Sequence, residues 1–275
     1  MVPADMVPAD MVPADMVPAD MVPADMVPAD MGRGLAGAGG QLTRPGHGLP
    51  LWRRVLVVVA HPDDETFGLG AIAGRFAGAG ASVHVLCFTH GEASTLNNND
   101  AELHQERAAE LHQAADELGL AGVTLLGYPD GHLAGLPAGE LSAHVTRLAA
   151  SLSADGLLVF DETGVTGHPD HRAATRAAQR AAATAGLPVL AWVLPEPVAG
   201  QLRAETGAAF AGQPPDRIDL CVRVDRTRQR RAALLHASQI SPTAVLWRRL
   251  QLQGECEHLR WLVPAGGPVP DGARR

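Results

Sequence analysis

The stretch RVLVVVAHPDDE, residues 54–65, joins a short apolar run to a group of polar and charged residues. The run from Val55 to Ala60 is uninterrupted and rich in valine, which predicts a strand buried on both faces of a sheet. A histidine and several carboxylates directly after such a strand are costly to remove from water unless something compensates them. A divalent cation would do so, and a metal site at the edge of a sheet is therefore one hypothesis for this stretch.

Outward from this strand, short β-branched runs alternate with longer segments rich in alanine and leucine. The predicted strands are 54–60, 82–89, 123–126, 156–161 and 188–194, and the predicted helices are 66–79, 101–118, 139–153 and 170–185. The alternation predicts an α/β fold, a three-layer Rossmann-like arrangement of a mostly parallel sheet with helices on both faces. Weaker patterns predict a strand at 217–225, a helix at 226–237 and a closing strand at 258–263. In such sheets, ligands bind beyond the carboxyl ends of the strands.

Both ends of the chain are predicted to lie outside the folded domain. Residues 1–30 are six copies of Met-Val-Pro-Ala-Asp, and proline in every copy together with repeated negative charge predicts disorder. We expect a tail and Gly-rich linker over 1–50, a single domain over 51–265 and a flexible tail over 266–275. No apolar run approaches the roughly 20 residues of a membrane-spanning helix, so no membrane span is expected.

Composition argues against nucleic acid as a partner. The net charge is −8, and setting aside the six acidic residues of the repeat leaves about −2. A nearly neutral body offers no electrostatic surface for nucleic acid, whereas a homo-oligomer is compatible with the sequence.

Cys87, Cys221 and Cys256 are widely spaced, which argues against a disulfide framework and a thiolate metal cluster. A reducing cytoplasm is therefore the expected location.

A second polar cluster, GHPDHR at residues 167–172, follows the strand predicted to end near Asp161. Pro169 suits the first position of a helix, which would place His168 and His171 about one turn apart on the same side. Either cluster alone could consist of capping or hydrogen-bonded core residues, but the two together favour a metal centre. Imidazole and carboxylate ligands suit zinc, with iron, cobalt or manganese also feasible. Three protein ligands would leave a position open for water, as in catalytic sites.

The two motifs, AHPDDE at 60–65 and GHPDHR at 167–172, resemble those of the PIG-L/LmbE family of metal-dependent deacetylases. The resemblance runs from about Arg54 to Gln239. It implies a zinc-dependent hydrolase that binds one Zn²⁺ per chain and removes the N-acetyl group from an N-acetylglucosamine-type sugar conjugate. A small amino-sugar conjugate is thus the implied substrate.

The same resemblance implies a role for each polar residue of the two motifs. The implied metal ligands are His61, Asp64 and His171. Asp63 is implied to be the general base, and His168 to stabilise the oxyanion. Asp170 would orient or tune His168. For Asp63, a role as a further partner of the metal is the alternative.

Three other segments bear on the substrate. Tyr128-Pro129-Asp130-Gly131 resembles the family's substrate loop and implies that Asp130 binds a sugar hydroxyl, although Pro-Asp-Gly is also an ordinary turn sequence. His90 is predicted to bind substrate because it stands where the family often carries an arginine that does so. Thr166 replaces a tyrosine that is common in members acting on thiol-linked sugars. The segment 235–239 resembles a late His-x-Ser-Gln signature, for which core packing, helix capping and substrate contact are all open.

Two other hypotheses follow from the same residues. One is a zinc amidase that cleaves a larger N-acyl group or a sugar-linked amide conjugate. The other is a non-catalytic protein that binds a metal or a nucleotide, since Gly68 and Gly70 faintly suggest a dinucleotide loop. Metal content and the identity of the released acid distinguish these hypotheses from the deacetylase.

Overall fold

The computed structural model of the protein describes residues 48–93, 100–137 and 139–264, without the side chains of 100–102. The repeat and the predicted C-terminal tail lie outside the described residues, so the predictions for them stay predictions. Among the described residues, no helix is both long and apolar enough to cross a lipid bilayer.

One sheet runs through the described part of the chain. In chain order its strands are β1 (Arg54–Val59), β2 (Ser82–Thr89), β3 (Gly122–Tyr128), β4 (Gly156–Phe160), β5 (Val189–Pro195), β6 (Gly212–Gln213), β7 (Leu220–Arg223) and β8 (Cys256–Val263). Their spatial order is β3-β2-β1-β4-β5-β8-β7, with β6 pairing β5. The strands from β3 to β5 along this order pair in parallel, whereas β8 is antiparallel to both β5 and β7. The predicted, mostly parallel sheet is confirmed.

Helices cover both faces of this sheet. They are α1 (Asp64–Phe67), α2 (Gly70–Gly78), α3 (Asp100–Leu118), α4 (Glu140–Leu152), α5 (Gly164–Gly167), α6 (Pro169–Ala185), α7 (Glu196–Thr206), α8 (Thr227–Leu235) and α9 (Val245–Gln253). Successive side chains of β1 point to opposite faces, as the pleat of a strand requires. Val55, Val57 and Val59 pack in the core that contains α2 and α3. Leu56, Val58 and Ala60 pack in a second core with α4 and α6. The central strand is therefore buried on both faces, as its valine-rich sequence predicts.

The predicted helix at 66–79 is two helices, α1 and α2, with a break at Gly68 and Leu69. The ring of Phe160, at the end of β4, fills the space where a Cβ atom at Gly68 would lie. A side chain at this position would collide with the ring. Glycine therefore allows the backbone between α1 and α2 to pack directly against the end of β4. The sequence pattern also failed to predict α7, α9 and the short strand β6.

A disulfide joins Cys221 of β7 to Cys256 of β8. The expectation drawn from cysteine spacing is therefore wrong for this pair. The two residues are 35 positions apart, but the antiparallel pairing of β7 with β8 sets Cys221 opposite His258, two residues from Cys256. Spacing along the chain could not reveal that pairing. Cys87 is free and buried within β2, as the apolar run around it predicts.

Candidate metal centre

Both polar motifs lie at the carboxyl ends of neighbouring parallel strands. His61 follows β1, and the segment that leads to His168 follows β4, which pairs directly with β1. Because the two strands run in parallel, their carboxyl ends meet at one edge of the sheet. The fold thus brings together two motifs that are about 100 residues apart in the sequence.

Asp64 lies between two of the histidines. Its Oδ1 is 3.1 Å from His171 Nε2, and its Oδ2 is 3.6 Å from His61 Nδ1. Oδ2 also accepts hydrogen bonds from the backbone N–H groups of Ala60 and His61 at 3.2 and 3.0 Å. Burial opposes ionisation of this carboxyl, but the charges of His171 and His61 and the hydrogen bonds hold its pKa well below the usual range. Asp64 is therefore an anion that faces two imidazoles.

The orientation of His171 suits a metal ligand. Its Nδ1 lies 3.1 Å from the carbonyl oxygen of Gly164, to which it can donate, so that Nε2 is left to face Asp64. A backbone acceptor behind one ring nitrogen is the usual way in which proteins fix the tautomer of a ligating histidine. The positive φ of Gly164, 72°, is readily adopted by glycine and helps to turn the chain after β4.

Two groups of residues at this edge could hold a metal ion. The nitrogens of His61, His168 and His171 lie within 4.8 Å of one another, as do ligand atoms of His61, Asp130 and Asp170. His61 belongs to both groups, and its Nε2 is 2.9 Å from Asp130 and 3.6 Å from Asp170. Burial lowers the pKa of His61, but the nearby carboxylates of Asp130, Asp170 and Asp64 raise it well above its usual value overall. The donor set is imidazole and carboxylate, which fits zinc by ligand type.

Asp63 occupies a strained position next to this donor set. Its φ is 108° and its ψ is −31°, a backbone conformation that residues other than glycine rarely adopt. The residue is half-buried. Burial raises the pKa of its carboxyl well above the usual value, and the neighbouring negative charge of Asp64 adds to this effect. A carboxylate with a raised pKa holds a proton more readily, as a general base requires.

His168 caps α6, and Pro169 occupies the first position of the helix as predicted. The Nδ1 of His168 accepts a hydrogen bond from the backbone N–H of Asp170 at 3.2 Å. The carboxylate of Asp170 is fully buried and accepts hydrogen bonds from the backbone N–H groups of Gly131 and Leu133 at 2.8 and 3.0 Å. Asp170 therefore ties the second motif to the loop that follows β3. Its predicted effect on His168 stays a prediction.

The two predicted substrate residues lie in different surroundings. Besides its approach to His61, Asp130 accepts a hydrogen bond from the Ala93 N–H at 3.0 Å, and its own N–H donates to Glu92 at 2.9 Å. His90 instead stacks on His104 of α3, with ring centroids 4.8 Å apart. The structure thus brings Asp130 next to His61, whereas the ring of His90 stacks on a residue of α3.

Two residues without an assigned role are buried under the first motif. Glu65 and His236 are both fully buried, and His236 Nε2 lies 2.9 Å from Glu65 Oε1. Gln239, from the same late segment, donates to the carbonyl oxygen of Pro62 at 2.6 Å. Of the readings left open for residues 235–239, the structure favours internal packing against the first motif. The signal in the sequence was Glu65 itself, a charged residue shortly before an apolar helical segment.

Part of the chain is similar to a known protein family. Residues 56–182 match the family model described as GlcNAc-PI de-N-acetylase, PIG-L. Over this range the chain is similar to the PIG-L family. The two polar motifs both fall inside the matched range, since His61 and His171 lie within it.

Curated relatives are similar in sequence to part of this chain. A 1D-myo-inositol 2-acetamido-2-deoxy-alpha-D-glucopyranoside deacetylase of Catenulispora acidiphila is 34% identical over 164 residues, which cover 50% of this chain and 51% of the relative. The chain thus spans about half the length of this curated relative.

Solved structures share the fold. The N,N'-diacetylchitobiose deacetylase of Pyrococcus horikoshii has a TM-score of 0.58 at 22% identity, covering 78% of this chain and 85% of that one. A 4-carboxy-2-hydroxymuconate hydratase of Pseudomonas putida has a TM-score of 0.59 at 18% identity, covering 78% and 98%. Because the second of these is named as a hydratase, the fold alone does not determine the reaction.

Proposed function

We propose that the chain is a zinc-dependent N-deacetylase that acts on an N-acetylglucosamine-type sugar conjugate and releases acetate and a free amine. The observation that carries this proposal is the meeting of the two motifs, in which Asp64 lies 3.1 Å from His171 and 3.6 Å from His61. The match to a de-N-acetylase family model and the N-acetylated sugar named for the relative support the choice of substrate class.

The residues that would hold the zinc are His61, Asp64 and His171, with other divalent metals as alternatives. The fixed tautomer of His171 and the ionised state of Asp64 both fit this role. A zinc ion bound by three protein ligands lowers the pKa of a water molecule and polarises an amide carbonyl.

Asp63 would act as the general base. It takes a proton from the attacking water, whose oxygen adds to the carbonyl carbon of the N-acetyl group. The pKa of its carboxyl, raised by burial, allows it to hold that proton until the C–N bond breaks. The proton then passes to the nitrogen, and acetate and the amine leave. The half-buried position of Asp63 limits competition from bulk water.

His168 would stabilise the negative charge that develops on the carbonyl oxygen. Since its Nδ1 accepts the Asp170 N–H, a neutral ring carries its proton on Nε2, the nitrogen from which it can donate. One such donor contributes roughly 3–4 kcal/mol to stabilisation of the transition state.

Asp130 would bind a hydroxyl group of the sugar. Its carboxylate lies 2.9 Å from His61, so a sugar held there would have its ring beside the metal ligands. Asp170 supports this arrangement because it holds the backbone of the same loop at Gly131 and Leu133. His90 would contact a more distant part of the conjugate.

The proposal is tested with zinc-loaded protein and a panel of N-acetylglucosamine derivatives, in which free amine and acetate are both quantified. We expect the two products in equal amounts, and Asp63→Asn as the matched control should release neither. Release of a larger acid would identify an amidase instead. Absence of amine from every conjugate in the panel would refute the proposed function.

A further inference from the structure

A chain of buried polar groups connects Asp63 to the late segment of the protein. The backbone N–H of Asp63 donates to Glu65 Oε2 at 2.9 Å. The other oxygen, Oε1, accepts a hydrogen bond from Thr66 Oγ1 at 2.5 Å and lies 2.9 Å from His236 Nε2. Glu65, Thr66 and His236 all have 0% exposure. A carboxylate taken so completely out of water is retained only when its oxygens are satisfied, as they are here.

The position that Glu65 supports is the strained one. At a φ of 108°, Asp63 lies in a region that L-residues rarely occupy, and such conformations persist only when surrounding contacts hold them. The Asp63 carbonyl accepts hydrogen bonds from the N–H groups of Thr66 and Phe67 at 2.9 and 2.6 Å. Its N–H has Glu65 as its acceptor. Without Glu65, one side of the strained peptide would lose its hydrogen bond.

Helix α8 and the residue that follows it hold Glu65 and its helix α1 in place. His236 follows the end of α8, and its ring packs edge-on against Phe67 with centroids 5.6 Å apart. Gln229 of α8 donates to the carbonyl oxygens of Thr66 and Phe67 at 3.0 and 3.2 Å. Helix α8 is thus attached to α1 directly behind the loop that carries the proposed base, and His236 is the group that reaches the carboxylate.

We propose that Glu65 and His236 are positioning residues, which hold Asp63 in the backbone conformation from which its carboxylate acts as the base. Glu65 does this through the Asp63 N–H, and His236 does it by fixing Glu65. The inference rests on the proposed function for the role of Asp63. It differs from a general stabilising role, because it requires that the chemical step suffers when the acceptor is lost even if the fold does not.

The decisive variant is the double substitution Glu65→Met/His236→Leu. Both members of the buried pair are replaced by apolar groups of similar size, a change that is often close to neutral for the pair itself. The Asp63 N–H and the Thr66 hydroxyl lose their acceptor, so we expect a moderate fall in melting temperature. We expect the variant to remain folded at the assay temperature, with zinc content and KM near those of the wild type. We expect kcat to fall about 10- to 100-fold, because small misplacement of a catalytic group has an effect of this order.

Two matched variants test whether the effect comes from the hydrogen bond to the Asp63 N–H, from the charge of Glu65 or from local packing. Glu65→Gln keeps an oxygen that can accept the Asp63 N–H, so its kcat should stay within about threefold of the wild type. Ser238→Ala alters the same late segment, where the serine bonds to Glu110 and not to Glu65, and it should leave kcat unchanged. Unchanged kcat in the double variant would overturn the proposal. So would loss of zinc or of the folded state in that variant, or an equal loss of kcat in Glu65→Gln.

An experiment that does not depend on turnover measures hydrogen exchange at the Asp63 amide by NMR. The amide should be protected in the wild type and in Glu65→Gln, and should exchange faster in the double variant. Equal protection in all three proteins would refute the arrangement. If the wild type releases no amine from any conjugate, the proposed function fails, whereas the exchange rates still decide whether Glu65 holds the Asp63 backbone.

Discussion

Replacement of Asp170 by asparagine tests how the two halves of the candidate site are held together. The buried carboxylate accepts two backbone hydrogen bonds, from Gly131 at 2.8 Å and from Leu133 at 3.0 Å. An asparagine has one oxygen and one NH₂ group in the same plane. It can accept at most one of the two bonds in this geometry, and its NH₂ group then faces a second N–H donor.

The size of the effect follows from that count. A buried donor that loses its acceptor destabilises the fold by about 1–3 kcal/mol. Gly131 is exposed and can turn to water, whereas Leu133 is buried, so the asparagine oxygen should serve Leu133 and the net loss should lie at the low end of that range, about 1 kcal/mol. With a denaturation slope of roughly 2 kcal/mol per M of urea, the midpoint of unfolding should fall by about 0.5 M.

The assay is urea unfolding of the metal-free and zinc-loaded protein, followed by measurement of KM with an N-acetylated sugar conjugate. KM should rise, because the loop that carries Asp130 is no longer held. Asp155→Asn is a matched control: that carboxylate also accepts two backbone N–H groups, those of Arg53 and Arg54, but at the surface, where water can replace it. Equal shifts in the two variants, or none in Asp170→Asn, would refute the reasoning.

The remaining predictions concern the metal, the base, the disulfide and the N-terminal segment. His171→Ala should lose zinc, whereas His168→Ala should keep it and lower kcat by about 10²–10³; the reverse pattern of zinc content would show that the two roles are exchanged. Asp63→Asn should keep zinc but lose the rise of kcat/KM with pH. In the wild type this rise should lie above the usual aspartate range, because burial raises the pKa of Asp63. An unchanged pH profile would exclude Asp63 as the base. Cys221→Ser should lower the free energy of unfolding by about 4 kcal/mol, as expected for a loop of 35 residues, with zinc content unchanged; equal urea midpoints with and without dithiothreitol in the wild type would contradict it. Protein that begins at Gly48 should keep its activity and melting temperature, and a large loss of either would show that the repeat contributes to the enzyme.

The parallel core of the sheet could be predicted because its signals are local. The run from Val55 to Ala60 has no polar residue and is rich in β-branched valine, which favours a strand covered on both faces. The end of each strand is marked by a change to polar residues, so the position of the candidate metal centre was also predictable. Both inferences depend on neighbouring residues in the sequence and on the general geometry of parallel sheets.

Features that depend on distant pairs could not be predicted in this way. The contact between Glu65 and His236 joins residues 171 positions apart, and the sequence around His236 is compatible with capping as well as with core packing. The disulfide required knowledge that β7 and β8 pair in antiparallel fashion. The need for glycine at position 68 depends on the ring of Phe160, which belongs to another strand. Each of these features is decided by packing between elements.

The place of His236 in the chain bears on how this protein can be recombined with its relatives. The family match ends at residue 182, yet the side chain that contacts Glu65 comes from beyond it. A chimera that exchanges only the matched segment would inherit all the proposed zinc ligands and the base, but it would set them on a foreign helix α8. Grafts intended to alter substrate choice should therefore carry residues 227–239 along with the motif they support, or leave both in place.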